Sequence, residues 1–359
     1  MTADAPRQTL SVVVGSGGVG KTTLAAAMGL RSSREGRDTL VMTFDPSQRL
    51  AHTLGVAGGP QDGEVRVPSN APGELWAGLL DPRRTFDRLV ARYAPDETSR
   101  RRILDNRFYR HLAGRLAGVL EYMAVERLYE VSAGGRYERV ILDTPPTRQA
   151  LDFIEAPERI VGFLDSGALR IALRPWFDED GHLKGVSRLG FIGRRLEAFL
   201  DRVVGLGLLH DMAEFFQAFA PLFDGFRERA LEVQRLLRSE ACSFVLVSGA
   251  GEERIPDTMF FARRLEEAGY RLGPVILNRV HPRIDGSAPS VEETGAAASA
   301  RALLAWLGER DHAGVSRLRA LLPEHALLAL PLLPRAPTDL ASLAELGDRL
   351  AGEHVARMR

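Results

Sequence analysis

Between Leu10 and Leu24 the chain places Gly15-Ser16-Gly17-Gly18-Val19-Gly20-Lys21-Thr22-Thr23 behind a short apolar run and ahead of an Ala- and Leu-rich segment. Glycines at such a turn let the backbone curl until several N–H groups converge on one anion, because no side chain holds the chain away. A helix starting near Lys21 aims its positive end and its unpaired first-turn N–H groups at the same point. The spacing is that of a Walker A phosphate loop, G-x-x-x-x-G-K-[ST]. In such a loop Lys21 meets the β- and γ-phosphates of ATP and the Thr22 hydroxyl ligates Mg²⁺. A glycine-rich turn that binds nothing is the plainer alternative, and the strand-then-helix context argues against it. Lysine usage sharpens the point: only Lys21 and Lys184 occur among 47 Lys+Arg residues. A chain that otherwise uses arginine places a compact ammonium where a point charge is wanted.

Two carboxylates follow apolar runs with the look of strands. Asp143 comes after Val140-Ile141-Leu142, in the form of a Walker B acid holding Mg²⁺ directly or through water, and Asp45 comes after Thr39–Phe44 and could orient the attacking water. Either could instead cap a strand-to-helix turn. The phosphate loop tips the reading toward catalysis.

These residues need a frame that brings them to one edge. The strand at Leu10, a helix over 22–31 and the strand at Thr39 form a βαβ unit, which implies a parallel sheet with a right-handed crossover. Further strands are expected at 65–67, 137–142, 243–248, 274–278 and 326–330, with helices over 256–268, 315–322 and from Thr338 onward. The stretch 287–300 is small and polar and reads as loop. A long helical stretch from Ala150 to about Leu237 is expected to break at Pro157, Pro175 and Pro221. The fold class is therefore α/β, a doubly wound, mostly parallel sheet of P-loop NTPase type, built as a single domain over 1–359. Helical insertions are expected at about 73–133 and 150–238.

The phosphate loop, Asp45-Pro46-Ser47-Gln48-Arg49-Leu50, Asp143-Thr144-Pro145-Pro146-Thr147 and Leu277-Asn278-Arg279 together resemble the successive signatures of the arsenite-pump and tail-anchored-protein-targeting ATPase family. The resemblance covers the sheet-forming parts of essentially the whole chain. It implies a dimeric ATPase in which Asp45 polarises water in switch I, Asp143 stands in the Mg²⁺ shell in switch II, and Asn278 reads the adenine edge. It also implies that the helical insertions form a client-handling subdomain.

The departures are specific. The family's signature lysine after the first loop glycine is Ser16 here, and a serine cannot stabilise transition-state charge as a cation does. Arg49 or Arg148, both in switch-like segments, could supply that cation. Cys242 is the only cysteine, so neither a Cys-x-x-Cys zinc clasp nor a multi-cysteine arsenite site can form within one chain.

Bulk composition bounds the rest. Lys+Arg 47 against Asp+Glu 47 gives zero net charge, so no nucleic-acid partner is implied. One cysteine, a polar N-terminal leader and no apolar run of about 18 residues point to a cytoplasmic protein that does not span a membrane. Leu208, Met212, Phe215, Phe216, Phe219, Leu222, Phe223 and Phe226 recur at helical spacing. Core packing is the first reading of that stripe, and a groove for a hydrophobic helical client the sharper one. The first functional reading is a Mg²⁺-dependent ATPase, working as a homodimer or as a heterodimer with a paralogue. A weakly hydrolysing ATP-binding partner subunit, a positioning ATPase and a small-molecule kinase are the rivals.

Overall fold

The computed structural model describes residues 8–45, 49–56, 63–107, 109, 119–166, 206–284 and 296–358. Eight strands form one sheet: β1 (Thr9–Gly15), β2 (Thr39–Thr43), β3 (Glu64–Val67), β4 (Leu75–Leu79), β5 (Arg139–Asp143), β6 (Cys242–Gly249), β7 (Leu272–Val280) and β8 (Leu327–Pro331). Their spatial order is β3-β4-β2-β5-β1-β6-β7-β8, and every neighbouring pair is parallel except β3 with β4. β1, β2 and β5 are buried almost throughout, as strands of a parallel sheet covered on both faces must be. The expected doubly wound α/β sheet is therefore the fold.

The residues cluster into two compact units. One comprises Met1–Leu80, Val131–Leu151 and Arg235–Arg359, and the other Asp81–Glu130 and Asp152–Gln234.

In the sheet unit, α1 (Lys21–Arg34) follows β1 and lays Leu24, Ala25 and Leu30 onto Val13, Val41 and Ile141. Small residues let a second helix, α11 (Leu340–Met358), come close. Gly347 lies so near the Ala27 carbonyl that an added Cβ would sit 3.0 Å from it, and Arg34 pairs with Asp348 at 2.9 Å. Register sets the site: Val13 and Thr43 both lie opposite Asp143, so β2 and β5 end level while β1 runs two residues further, to Gly15, into the turn.

The helical unit holds α3 (Pro82–Tyr93), α4 (Glu97–Asp105), α7 (Leu206–Phe219) and α8 (Phe223–Leu237), with parts of α5 (Val119–Gly134) and α6 (Thr147–Leu164). Its centre is aromatic: Phe86 stacks on Tyr109 at 4.5 Å and on Phe219 at 5.5 Å between ring centroids. Phe215, Phe219, Leu222 and Phe226 of the expected stripe are buried, so that half of it is core. Pro221 falls in a single 3-10 turn, Ala220–Leu222, between α7 and α8.

Three expectations differ from the fold. β4 is a strand where none was assigned: with only five residues behind Pro72 and Gly73, its Leu75 and Ala77 are too few to show a period. Pro157 lies inside α6 instead of breaking it. Phe153, Ile154, Ala156 and Ile160, buried on either side of the proline, hold the helix across the lost hydrogen bond. Finally α10 spans Ala296–Leu321, overlapping the expected loop, because its Ala-rich start is small and polar in pattern yet strongly helix-forming. The two remaining helices are α2 (Arg49–Thr53) and α9 (Ile255–Glu267).

Ile141 is fully buried at the centre of the sheet. Ile141→Ala is expected to lower the unfolding free energy by about 3 kcal/mol in urea titrations, with the slope of the transition unchanged.

Candidate functional site

The turn between β1 and α1 carries the phosphate-loop residues. Gly15, Gly18 and Gly20 adopt φ of 145°, 77° and 95°, values that L side chains disfavour. Space forbids side chains as well. A Cβ on Gly15 would run into the Val247 carbonyl of β6, and one on Gly20 would lie 2.5 Å from Asn278 Nδ2. Gly20 serves as the N-cap of α1 and offers no side-chain acceptor, so the first-turn N–H groups stay directed at the turn.

Lys21 is buried, and its Nζ donates to the carbonyls of Gly15 at 3.0 Å and Ser16 at 2.9 Å. Burial pulls its pKa down, Asp143 and Asp45 oppose the shift, and the Arg49 charge adds to it. Arg49 therefore stands within electrostatic reach of the loop, exposed at the first turn of α2. The Arg148 side chain lies outside the described residues, as do Pro46, Ser47 and Gln48.

Asp143 ends β5 almost without solvent exposure. Its Oδ2 accepts from Thr22 Oγ1 at 2.7 Å and from Thr43 Oγ1 at 3.0 Å, while its Oδ1 is buried with no hydrogen-bond partner. Thr43 Oγ1 also accepts from the Asp45 backbone N–H at 3.1 Å. Lys21, Thr22, Asp45 and Asp143 are thus brought together. Thr43 is the partner that sequence reasoning missed; a hydroxyl two residues before a strand-end carboxylate was the available signal.

A buried orphan carboxylate oxygen beside a threonine hydroxyl suits a hard divalent cation with oxygen ligands, so the residues fit Mg²⁺. Burial raises the Asp143 pKa to about 6, against the hydrogen bonds from Thr22 and Thr43 and the charge of Lys21.

Asn278 sits at the far side of the loop. Its Nδ2 donates to the Val19 carbonyl at 2.9 Å and its Oδ1 accepts from the Arg279 N–H at 3.0 Å. Arg279 has φ of 62°, the one non-glycine among the described residues at positive φ, and its Nη1 reaches the Gly18 carbonyl at 3.4 Å. Both residues line a cavity of about 250 Å³ together with Gly20, Thr23, Pro331 and Leu333. Sequence reasoning singled out Asn278 but not the strained arginine beside it.

Residues 9–176 match the family model described as anion-transporting ATPase. The family resemblance read from the motifs is thereby borne out over the stretch that holds the phosphate loop, Asp45 and Asp143. Asn278 lies beyond the match. Among similar proteins, Protein Rv2184c of Mycobacterium tuberculosis is 31% identical over 41% of this chain and 37% of its own length. The ATPase GET3 of Malassezia globosa is 28% identical over 40% of each. The ATPase GET3B of Arabidopsis thaliana is 27% identical over 75% of this chain and 63% of its own. The chain therefore spans less than two thirds of each of these relatives. None of its helices among the described residues is long and apolar enough to cross a membrane.

Because the folded-state pKa of Asp143 is raised from 3.8 to about 6, its contribution to stability is fully present below pH 3.8 and is lost as pH rises through about 6. Asp143→Asn removes the buried charge. In the absence of metal and nucleotide the variant should equal the wild type near pH 3.8 and exceed it by about 2–3 kcal/mol at neutral pH, measured by urea unfolding at both values.

Proposed function

We propose that this chain hydrolyses ATP in a Mg²⁺-dependent reaction. One observation carries the reading: the buried, unpartnered Asp143 Oδ1 stands beside the Thr22 hydroxyl at the mouth of a backbone nest. A strand-capping aspartate would need no such orphan atom, and leaving one buried costs about 1–3 kcal/mol unless a ligand meets it.

In this reading the N–H groups around residues 17–21 bind the β- and γ-phosphate oxygens. Lys21 exchanges the Gly15 and Ser16 carbonyls for phosphate oxygens, which a compact ammonium can do by rotating its terminal bonds. Thr22 and Asp143 hold Mg²⁺, whose chemistry is to neutralise charge on the β- and γ-phosphates. Asp45, half-buried two residues beyond the end of β2, orients water for in-line attack. The water oxygen bonds to the γ-phosphorus, the bridging bond to ADP breaks, and the released proton passes to the phosphate product. Positioning and electrostatics supply nearly all of the acceleration. Asn278 and the neighbouring cavity receive the adenine, between the Asn278 amide and the apolar Pro331 and Leu333.

Ser16 leaves the site one cation short, and Arg49 replaces it from switch I; the influence of its charge on Lys21 supports that assignment. The protein works as a dimer whose two halves close on ATP. Asp143 links the loop to Thr43 and through it to the Asp45 backbone, so a change at the phosphate is felt in switch I. The helical unit takes up an apolar client, for which Phe163, 42% exposed with its ring 6.4 Å from Phe216, is the most suitable described contact. A cytoplasmic setting agrees with the buried Cys242, whose thiol is pushed up to about 12 and so resists oxidation.

Calorimetry with ATP and Mg²⁺ should show binding by the wild type and none by Lys21→Ala; equal heats from both would overturn the proposal. Arg49→Ala should keep ATP affinity within about twofold while turnover falls about tenfold or more, as removal of a transition-state cation demands. Turnover equal to wild type would remove Arg49 from the mechanism.

A further inference from the structure

At the opposite edge of the sheet from the phosphate loop, a second cavity of about 280 Å³ opens in the sheet unit. Its floor is apolar, made by Val245, Pro274, Ile276 and Leu328 of β6, β7 and β8, and its roof is the last turns of α1 with Leu350 and Ala351 of α11. One end is cationic. Arg31, Arg37 and Arg139 all border it, with Glu35 as the single acid among the described lining residues.

Arg139 is the unusual member. It opens β5, two residues before fully buried Ile141 and so on the same face of the strand, directed at the layer beneath α1. Its guanidinium is held by hydroxyls: Nη1 donates to Thr9 Oγ1 at 3.0 Å and Nη2 to Ser11 Oγ at 2.8 Å. Glu35 does not pair with it. That carboxylate accepts from Arg31 at 2.8 Å and lies 3.8 Å from Arg37, so it is shared between the two rim arginines. Burial, and after it the charge of Arg37, depress the Arg139 pKa. Among the described residues no carboxylate hydrogen-bonds Arg139, and a half-buried guanidinium so placed costs free energy unless an anion completes it.

We infer that this cavity binds a small aliphatic monocarboxylate, with its carboxylate on Arg139 and its hydrocarbon body against Val245, Ile276 and Leu328. The planar guanidinium fork matches a carboxylate in a bidentate pair. Inorganic phosphate would leave the apolar floor of Val245, Pro274, Ile276 and Leu328 uncovered, which favours a guest with a hydrocarbon body. The volume falls just below the range of about 300–1,000 Å³ typical of ligand pockets, which limits the guest to a short or medium chain. The inference does not rest on the nucleotide reading, and either can fail alone.

The test uses the full chain and octanoate as probe, with octanol and inorganic phosphate as controls. Titration calorimetry should register octanoate and neither control. Arg139→Gln, which keeps an amide donor for Thr9 and Ser11, should weaken octanoate about tenfold or more, the loss expected for one charge-assisted pair, while Arg139→Lys should lose less. Crystals soaked in ω-bromo-octanoate should place the bromine by anomalous scattering between the β6–β8 floor and α11, a readout that needs no variant. No heat from octanoate, equal affinity for octanol, full affinity in folded Arg139→Gln, or bromine outside the cavity would each overturn the inference.

Discussion

The arrangement depends on one buried carboxylate. Asp143 ends β5, which lies between β2 and β1, and from there it reaches the first turn of α1 through Thr22 and the end of β2 through Thr43. Three segments far apart in sequence therefore share a single acceptor oxygen. That geometry follows from the parallel register, which sets Thr43 opposite Asp143 and carries β1 two residues past it into the turn before α1. The same burial that makes the contact specific makes the charge costly, so Asp143 holds its proton to about pH 6. A group paired on one oxygen and orphaned on the other is poised toward whatever supplies the missing partner. Through Thr43 its state also bears on the Asp45 N–H, so the acid that would hold the metal is mechanically joined to the segment that would hold the water.

What could be read in the amino-acid sequence was what is decided locally. The phosphate loop was legible because the demands of positive φ and close backbone approach fall on single residues, and glycine meets them visibly at positions 15, 18 and 20. The central strands were legible because burial on both faces writes a continuous apolar run. Thr43 was not, since a hydroxyl in an apolar strand is unremarkable until the register sets it opposite Asp143. Nor was the strain at Arg279, which stands beside an Asn278 amide that donates to Val19 across more than two hundred residues of chain. β4 escaped because a five-residue strand gives no period, and the early half of α10 because small residues signal loop and helix alike. In the aromatic stripe the spacing was right and the surroundings undecided; stacking with Phe86 and Tyr109, both distant in sequence, shows that Phe215 and Phe219 are core.

The two edges of the sheet solve the problem of a buried charge differently. At the carboxyl edge the positive groups are mostly main-chain amides, fixed partial charges that cost little to desolvate and are already oriented by α1. A lysine can be added there because its ammonium finds carbonyls when no anion is present, as Lys21 does on Gly15 and Ser16. At the amino edge the cation is a guanidinium that cannot shed its proton and that, among the described residues, donates to the Thr9 and Ser11 hydroxyls. The first edge tolerates an empty state and the second resists it. A resting arrangement for the cation suits a site that releases its ligand; a cation that, among the described residues, rests on hydroxyls alone suits an anion that stays.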